Sequence, residues 1–206
     1  MSVVLWRIAT DTREYEADDL GGKGAEKNGG RWNRPGRPVV YTASSIALAC
    51  LESVVHLNAD DLPLNRFLVR VEVPDDVWKA RQQYTPADLP VGWSAIPEGK
   101  VSLDVGDAWL RDAPTALLAV PSVIVPEESN LLINPLHPDA KKVRGVKVRA
   151  WFYDQRLAWQ KTPRPGAGWP IAPRPRCPTP SPAPSSTTPS GSAPAAPNRA
   201  PRRSAG

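Results

Sequence analysis

Residues 161–206 hold 13 of the chain's 25 prolines and not one Asp or Glu. Such a stretch of Pro, Ala, Ser and Arg buries too little apolar surface to offset its ordering entropy and is expected to be disordered. The core must therefore be built before it. Charge divides at the same place. Seven basic residues (Lys161, Arg164, Arg174, Arg176, Arg199, Arg202, Arg203) fall in this segment, which leaves 19 basic against 21 acidic residues in 1–160. The body carries −2 and the tail +7, so the chain's net +5 describes the tail. A basic nucleic-acid-binding body is excluded on charge, while the tail could touch RNA or DNA weakly and in a salt-dependent way.

Other classes fall on local grounds. The longest apolar stretch, Ala113 to Val125, is cut by Pro114 and Pro121 and falls short of the roughly 18–20 residues that a membrane helix needs. The opening MSVVLWRIATD places Arg7 inside what would be a signal peptide's apolar stretch, so secretion is not expected. Two cysteines, Cys50 and Cys177, make no disulfide framework, and two distant histidines, His56 and His137, make no zinc site. The expectation is a cytoplasmic protein with no metal and no tightly bound cofactor.

The body, residues 1–160, reads as one α+β domain. Val3 to Ala9 and Arg37 to Thr42 read as strands, with a Gly-rich loop between Asp18 and Gly36. Ser44 or Ser45 can cap a helix running to about Asn58. Asn65 to Val73 alternates, with Phe67, Val69, Val71 and Val73 on one face, and is a strand. A short helix is expected near Leu103 to Asp112, and strands over Thr115 to Val125 and Val146 to Tyr153. Between these last two the sequence reads as a loop with a turn around Asn134 to Lys142. Strands outnumber helices without a steady β–α alternation.

A few positions carry potential chemistry. The Gly-rich loop is not a phosphate motif: G-x-G-x-x-G fails at Lys27, and no G-x-x-x-x-G-K-[ST] is present. Glu52 shares the helical stripe of Leu48, Leu51 and Val55. There it is either a carboxylate reaching water at the stripe's edge or one held in a cleft for a purpose. Arg7, inside VVLWRIA, points either to solvent or, as a planar fork, to an anionic ligand. Arg31 follows two glycines that allow close backbone approach. Tyr41 ends a strand just before the helix of Glu52, and Ser122 is a small polar group in an apolar strand. Cys50 reads as a small core hydrophobe and His137 as a turn residue.

Taken in order, LWRIA, GGRWN, VVYTASSIALACLE, LLAVPSVIVPEESNLLINPLHPDAKKV and WFYDQRL resemble the RES domain family over residues 3–157. These are toxins of type II toxin–antitoxin systems paired with Xre-type antitoxins. The resemblance implies a single domain with ADP-ribosyltransferase-like mixed sheets and short helices, and NAD as substrate. Toxicity would follow from cleaving the nicotinamide–ribose bond, depleting NAD and arresting growth. It also implies roles by position: Glu52, Arg31 and Tyr41 in catalysis, and Arg7, Arg31, Tyr41 and Ser122 in holding NAD. Gln155, where the family pattern has Pro, departs from it at the domain's end. The rival reading is mono-ADP-ribosyl transfer to a cellular protein, which shares the first step. A different class, a non-enzymatic nucleic-acid-binding module, would use the basic tail and exposed tryptophans such as Trp6, Trp32, Trp93 and Trp151. The assembly is open between a homodimer and a toxin–antitoxin hetero-oligomer.

Overall fold

A computed structural model describes residues 2–57 and 63–157. The expected disordered tail, with Cys177, lies outside the described residues, as does Asn58, the predicted end of the helix capped at Ser44 or Ser45. Strand β1 (Ser2–Ala9) runs antiparallel to β3 (Phe67–Pro74), which pairs in turn with β7 (Arg144–Ala150). A second antiparallel set comprises β2 (Val40–Ala43), β6 (Ser129–Ile133) and β5 (Leu117–Pro121). The two-residue β4 (Gln82–Gln83) adds to β5 in parallel. All belong to one seven-stranded sheet in the order β4-β5-β6-β2-β1-β3-β7. Its halves meet at a single ladder pair, Trp6 with Ala43, beyond which β1 and β2 part.

Each face of the sheet has its own core. On one, Leu5, Ala9, Val40, Val69, Val71, Val73, Leu117, Leu131 and Ile133 pack under Ala17 and under Val77 of α3 (Asp75–Lys79). The alternation predicted for Phe67 to Val73 therefore selects this face. On the other, Leu118, Val120, Leu132 and Val39 pack against Trp32, Trp93 and Trp109, the last from α4 (Lys100–Asp112). Beside them α2 (Ile46–Val54) rests Leu48 and Ala49 on Ala43, Trp6 and Ile8. Trp32 and Trp93 are thus core residues, 2% and 8% exposed, and are not free to stack bases.

Three expectations change. The 18–36 loop contains a helix, α1 (Lys23–Asn28), bounded by Gly22 and Gly29 at φ 73° and 74°. It buries none of its residues, so no apolar stripe announces it. Strand β6 replaces the predicted loop before Asn134. Leu131, Leu132 and Ile133 are all buried because the sheet is covered on both faces there, and this erases alternation. The buried side of α2 is Leu48 and Ala49 with Glu52, whereas Leu51 and Val55 face outward at 37% and 58% exposure. No helix among the described residues is long and apolar enough to cross a membrane.

Candidate active site

Helix α2 begins at Ser45, whose Oγ accepts the Leu48 N–H at 3.1 Å and donates to Glu128 Oε2 at 3.0 Å. Seven residues later, about two helical turns, Glu52 returns to the same side. Ser45 and Glu52 both meet the β5–β6 connection, so the helix is tied to that hairpin at two levels.

The Glu52 carboxylate is half-buried and is oriented through one oxygen. Ser122 donates to Oε1 at 2.7 Å, and Asn130 Nδ2 donates to the same oxygen at 2.5 Å. The direction of the Ser122 proton is fixed. Its Oγ already accepts the N–H groups of Ile124 and Val125 at 3.0 and 3.1 Å, leaving its one donor for Glu52. Among the described residues Glu52 Oε2 has no hydrogen-bond partner. Ser122 is 0% exposed with its hydroxyl fully engaged. The expectation that it touches NAD directly therefore gives way to a role behind the carboxylate.

Tyr41 lies on the same face of the sheet, packed with Trp32 and Leu132. Tyr41 stands opposite Leu132 on β6, and Asn130 opposite Ala43. Tyr41 and Asn130 are thus diagonal neighbours, about 7–8 Å apart. The phenol accepts the Trp32 N–H at 3.0 Å and donates to Asn33 Oδ1 at 2.8 Å. Burial pushes its pKa upward, so it remains a neutral donor. Asn33, 0% exposed, donates its amide to the Ala25 and Arg37 carbonyls at 2.8 and 2.9 Å and so knits the loop into one piece. At Gly30 a Cβ would come within 2.7 Å of the Tyr41 hydroxyl, which accounts for a glycine there. Arg31 Nη1 donates to the carbonyls of Ala95 and Trp93 at 2.9 and 3.3 Å. Beside it Trp32 stacks on Trp93 at 6.3 Å.

The loop is clamped from outside by α4. Arg34 pairs with Asp104 at 2.7 Å and with Asp107, which also receives Arg37 at 3.5 Å. At Gly106 a Cβ would overlap the Trp32 carbonyl oxygen, so helix and loop touch backbone to backbone.

Arg7 is not brought to this cluster. It shares the sheet face of Leu5 and Ala9, while its neighbours Trp6 and Ile8 pack on the α2 side. Its Nη1 donates to the Asp19 carbonyl at 3.2 Å. Burial pulls the guanidinium down to about 10, against smaller opposing influences of Tyr15, Asp19 and Asp18. It stays charged at neutral pH but has no carboxylate within ion-pair distance among the described residues. His137 caps a 3-10 turn at Pro138–Lys142 through Nδ1, as its sequence context predicts. Sequence reasoning missed Asn130, Asn33 and Glu128. Asn130 carries no sequence signal once β6 is read as a loop.

A protein-family model described as "RES domain" matches residues 4–159. A Sphingobium sp. protein named "Prs ADP-ribosylating toxin" is 61% identical over 157 residues, covering 76% of this chain and 98% of that protein. A Pseudomonas putida protein named "Toxin Res" is 41% identical, covering 75% and 99%. Among solved structures, the M. tuberculosis MbcT–MbcA toxin–antitoxin complex contains a chain that shares this fold at a TM-score of 0.52 and 19% identity. The match covers 72% of this chain and 85% of that one.

Proposed function

The chain belongs to the RES domain family, and on that premise we propose that it is a toxin enzyme that breaks the nicotinamide–ribose bond of NAD. One observation carries this reading. Glu52 presents a carboxylate fixed through Oε1 by two donors, with Oε2 free among the described residues, on the sheet face that also holds Tyr41. In the reaction the C1′–N bond of the ribose breaks with its electron pair passing to the nicotinamide nitrogen, which loses its positive charge. The ribose gains oxocarbenium character, and Oε2 stabilises that charge more in the transition state than in the ground state. A nucleophile then adds to C1′ and gives up its proton.

The remaining roles follow from chemistry and position. The Tyr41 ring can hold the cationic nicotinamide, an attraction of about 0.5–2 kcal/mol. Arg31 keeps Nε and Nη2 without hydrogen-bond partners among the described residues, a fork suited to phosphate. Arg7, charged and short of an anion, stands where β1 and β2 part, and the NAD pyrophosphate is the partner it lacks.

Two observations extend the reading. The 61%-identical relative is named an ADP-ribosylating toxin, which favours a protein side chain over water as the nucleophile. Other relatives are named as toxins, and the M. tuberculosis structure of this fold is a toxin–antitoxin complex. An antitoxin partner, of Xre type by the resemblance, is therefore part of the proposal. The test is nicotinamide release from NAD by purified protein, with Glu52→Gln alongside and with labelled NAD to reveal modified protein. Release should fall by about a hundredfold or more in the variant. Full release by a folded Glu52→Gln protein would falsify the mechanism.

A further inference from the structure

We propose that Asn130 is a positioning residue for the reaction, holding the Glu52 carboxylate in the one orientation that leaves Oε2 facing the substrate. The inference rests on the reading of Glu52 given above. It starts from how few constraints a Glu side chain normally has: three rotatable bonds, and a terminal torsion that is broad. Here the carboxylate is half-buried, and one oxygen takes both donors.

The two donors are not equivalent. Ser122 is bound to its own turn by the Ile124 and Val125 N–H groups. It therefore fixes where Oε1 can sit, but a single hydrogen bond leaves the carboxylate free to swing about it. Asn130 comes from strand β6 and approaches the same oxygen at 2.5 Å. Its Cα is held opposite Ala43 of β2 and Val120 of β5, so the amide is launched from the interior of the sheet rather than from a loop. Two donors, one from the turn after β5 and one from β6, meet on one oxygen and remove the swing. With Oε1 saturated, Oε2 is the oxygen turned outward. The Ser45–Glu128 contact at the start of α2 holds the helix on the same hairpin and keeps Glu52 in reach of both donors.

Asn130 touches no reacting atom in this scheme, so its loss should slow the chemical step more than it weakens NAD binding. Two substitutions separate that from a structural contribution. Asn130→Ala removes the donor. Asn130→Asp keeps the shape but sets an acceptor against an acceptor, and protonation of the pair restores one donor. We expect both to lower kcat for nicotinamide release about 10- to 100-fold, with KM for NAD within about twofold. On going from about pH 8 to about pH 5, Asn130→Asp should regain activity relative to the unmodified protein, whereas Asn130→Ala should keep a constant ratio. A purely structural role would lower thermal stability and leave both ratios flat.

A crystal structure of Asn130→Ala provides a readout independent of turnover: Glu52 should leave its present rotamer or show alternative ones. An unmoved Glu52 overturns the proposal whatever the activity. An equal pH response of the two variants overturns it as well. Absence of nicotinamide release by the unmodified protein would instead sink the reading of Glu52 as the catalytic carboxylate, leaving the crystallographic arm to decide what Asn130 does.

Discussion

Arg7 shows how much a single residue can reveal once its charge is set against its surroundings. A guanidinium taken half out of water, with one backbone carbonyl at 3.2 Å as its partner, destabilises the folded chain. Its pKa is lowered from the usual guanidinium value to about 10. The unfolded state therefore binds more protons only above about 10, and below that the cost is constant. Arg7→Met should accordingly raise stability by about 1–3 kcal/mol, with the same gain at every pH from about 6 to about 9 in denaturant titrations. The same change should raise KM for NAD about tenfold or more if the guanidinium serves the pyrophosphate. A stabilised variant with unchanged KM would show that Arg7 has no ligand. This position was legible in the sequence as an Arg in an apolar strand, and so were Glu52 on the helix side of Leu48 and Ser122 among apolar neighbours. What each side chain faces was not legible. Period-2 alternation does not say which sheet face meets a ligand, and it took the Ile124 and Val125 N–H groups to show that Ser122 is already occupied.

Among the elements, α4 and α2 act differently around the site. α4 presses the 30–34 loop into place through the Gly106 backbone contact and the Arg34 and Arg37 ion pairs to Asp107. In an ordinary helix Gly→Ala gains about 1 kcal/mol of propensity. At Gly106 the new methyl would run into the Trp32 carbonyl, and relieving that overlap costs about 1–3 kcal/mol. The clash should win: Gly106→Ala is expected to lower stability and, by displacing Arg31 and Tyr41, to lower nicotinamide release more than the loss of folded protein explains. Thermal melts and kcat/KM on the same preparation check both. α2 depends on its start. Ser45→Ala removes the cap and the link to Glu128, with an expected loss of about 1 kcal/mol. The elements with a plain local signal were readable: β3 by its alternation, α2 by its Ser45 cap, β1 as a short apolar run, and most of α4. The signal failed where burial is all or nothing. β6 is covered on both faces and has no alternation, and α1 buries none of its residues and has no stripe. Losing β6 also lost Asn130.

At the scale of the molecule, the sheet is two antiparallel sets joined at Trp6 and Ala43; Glu52 and Tyr41 stand on one face of it, while Arg7 stands at the seam with its side chain on the other. Everything this site uses lies between residues 7 and 130. The shared family region ends at residue 159, and the Sphingobium relative is matched over 98% of its own length by 157 residues of this chain. A relative so nearly complete within that span has no counterpart to the Pro- and Arg-rich segment, so neither folding nor the proposed NAD cleavage should need it. A chain ended after Lys161 is expected to keep its melting temperature and its rate of nicotinamide release. Removing the remaining six basic residues of the +7 segment leaves the shortened chain close to −1. Any binding of nucleic acid by the full chain should therefore weaken steeply with added salt and vanish on truncation. Retention of that binding by the shortened chain would place it on the body, against the body's own charge. Loss of NAD cleavage on truncation would make the segment part of the enzyme and remove the division at residue 160.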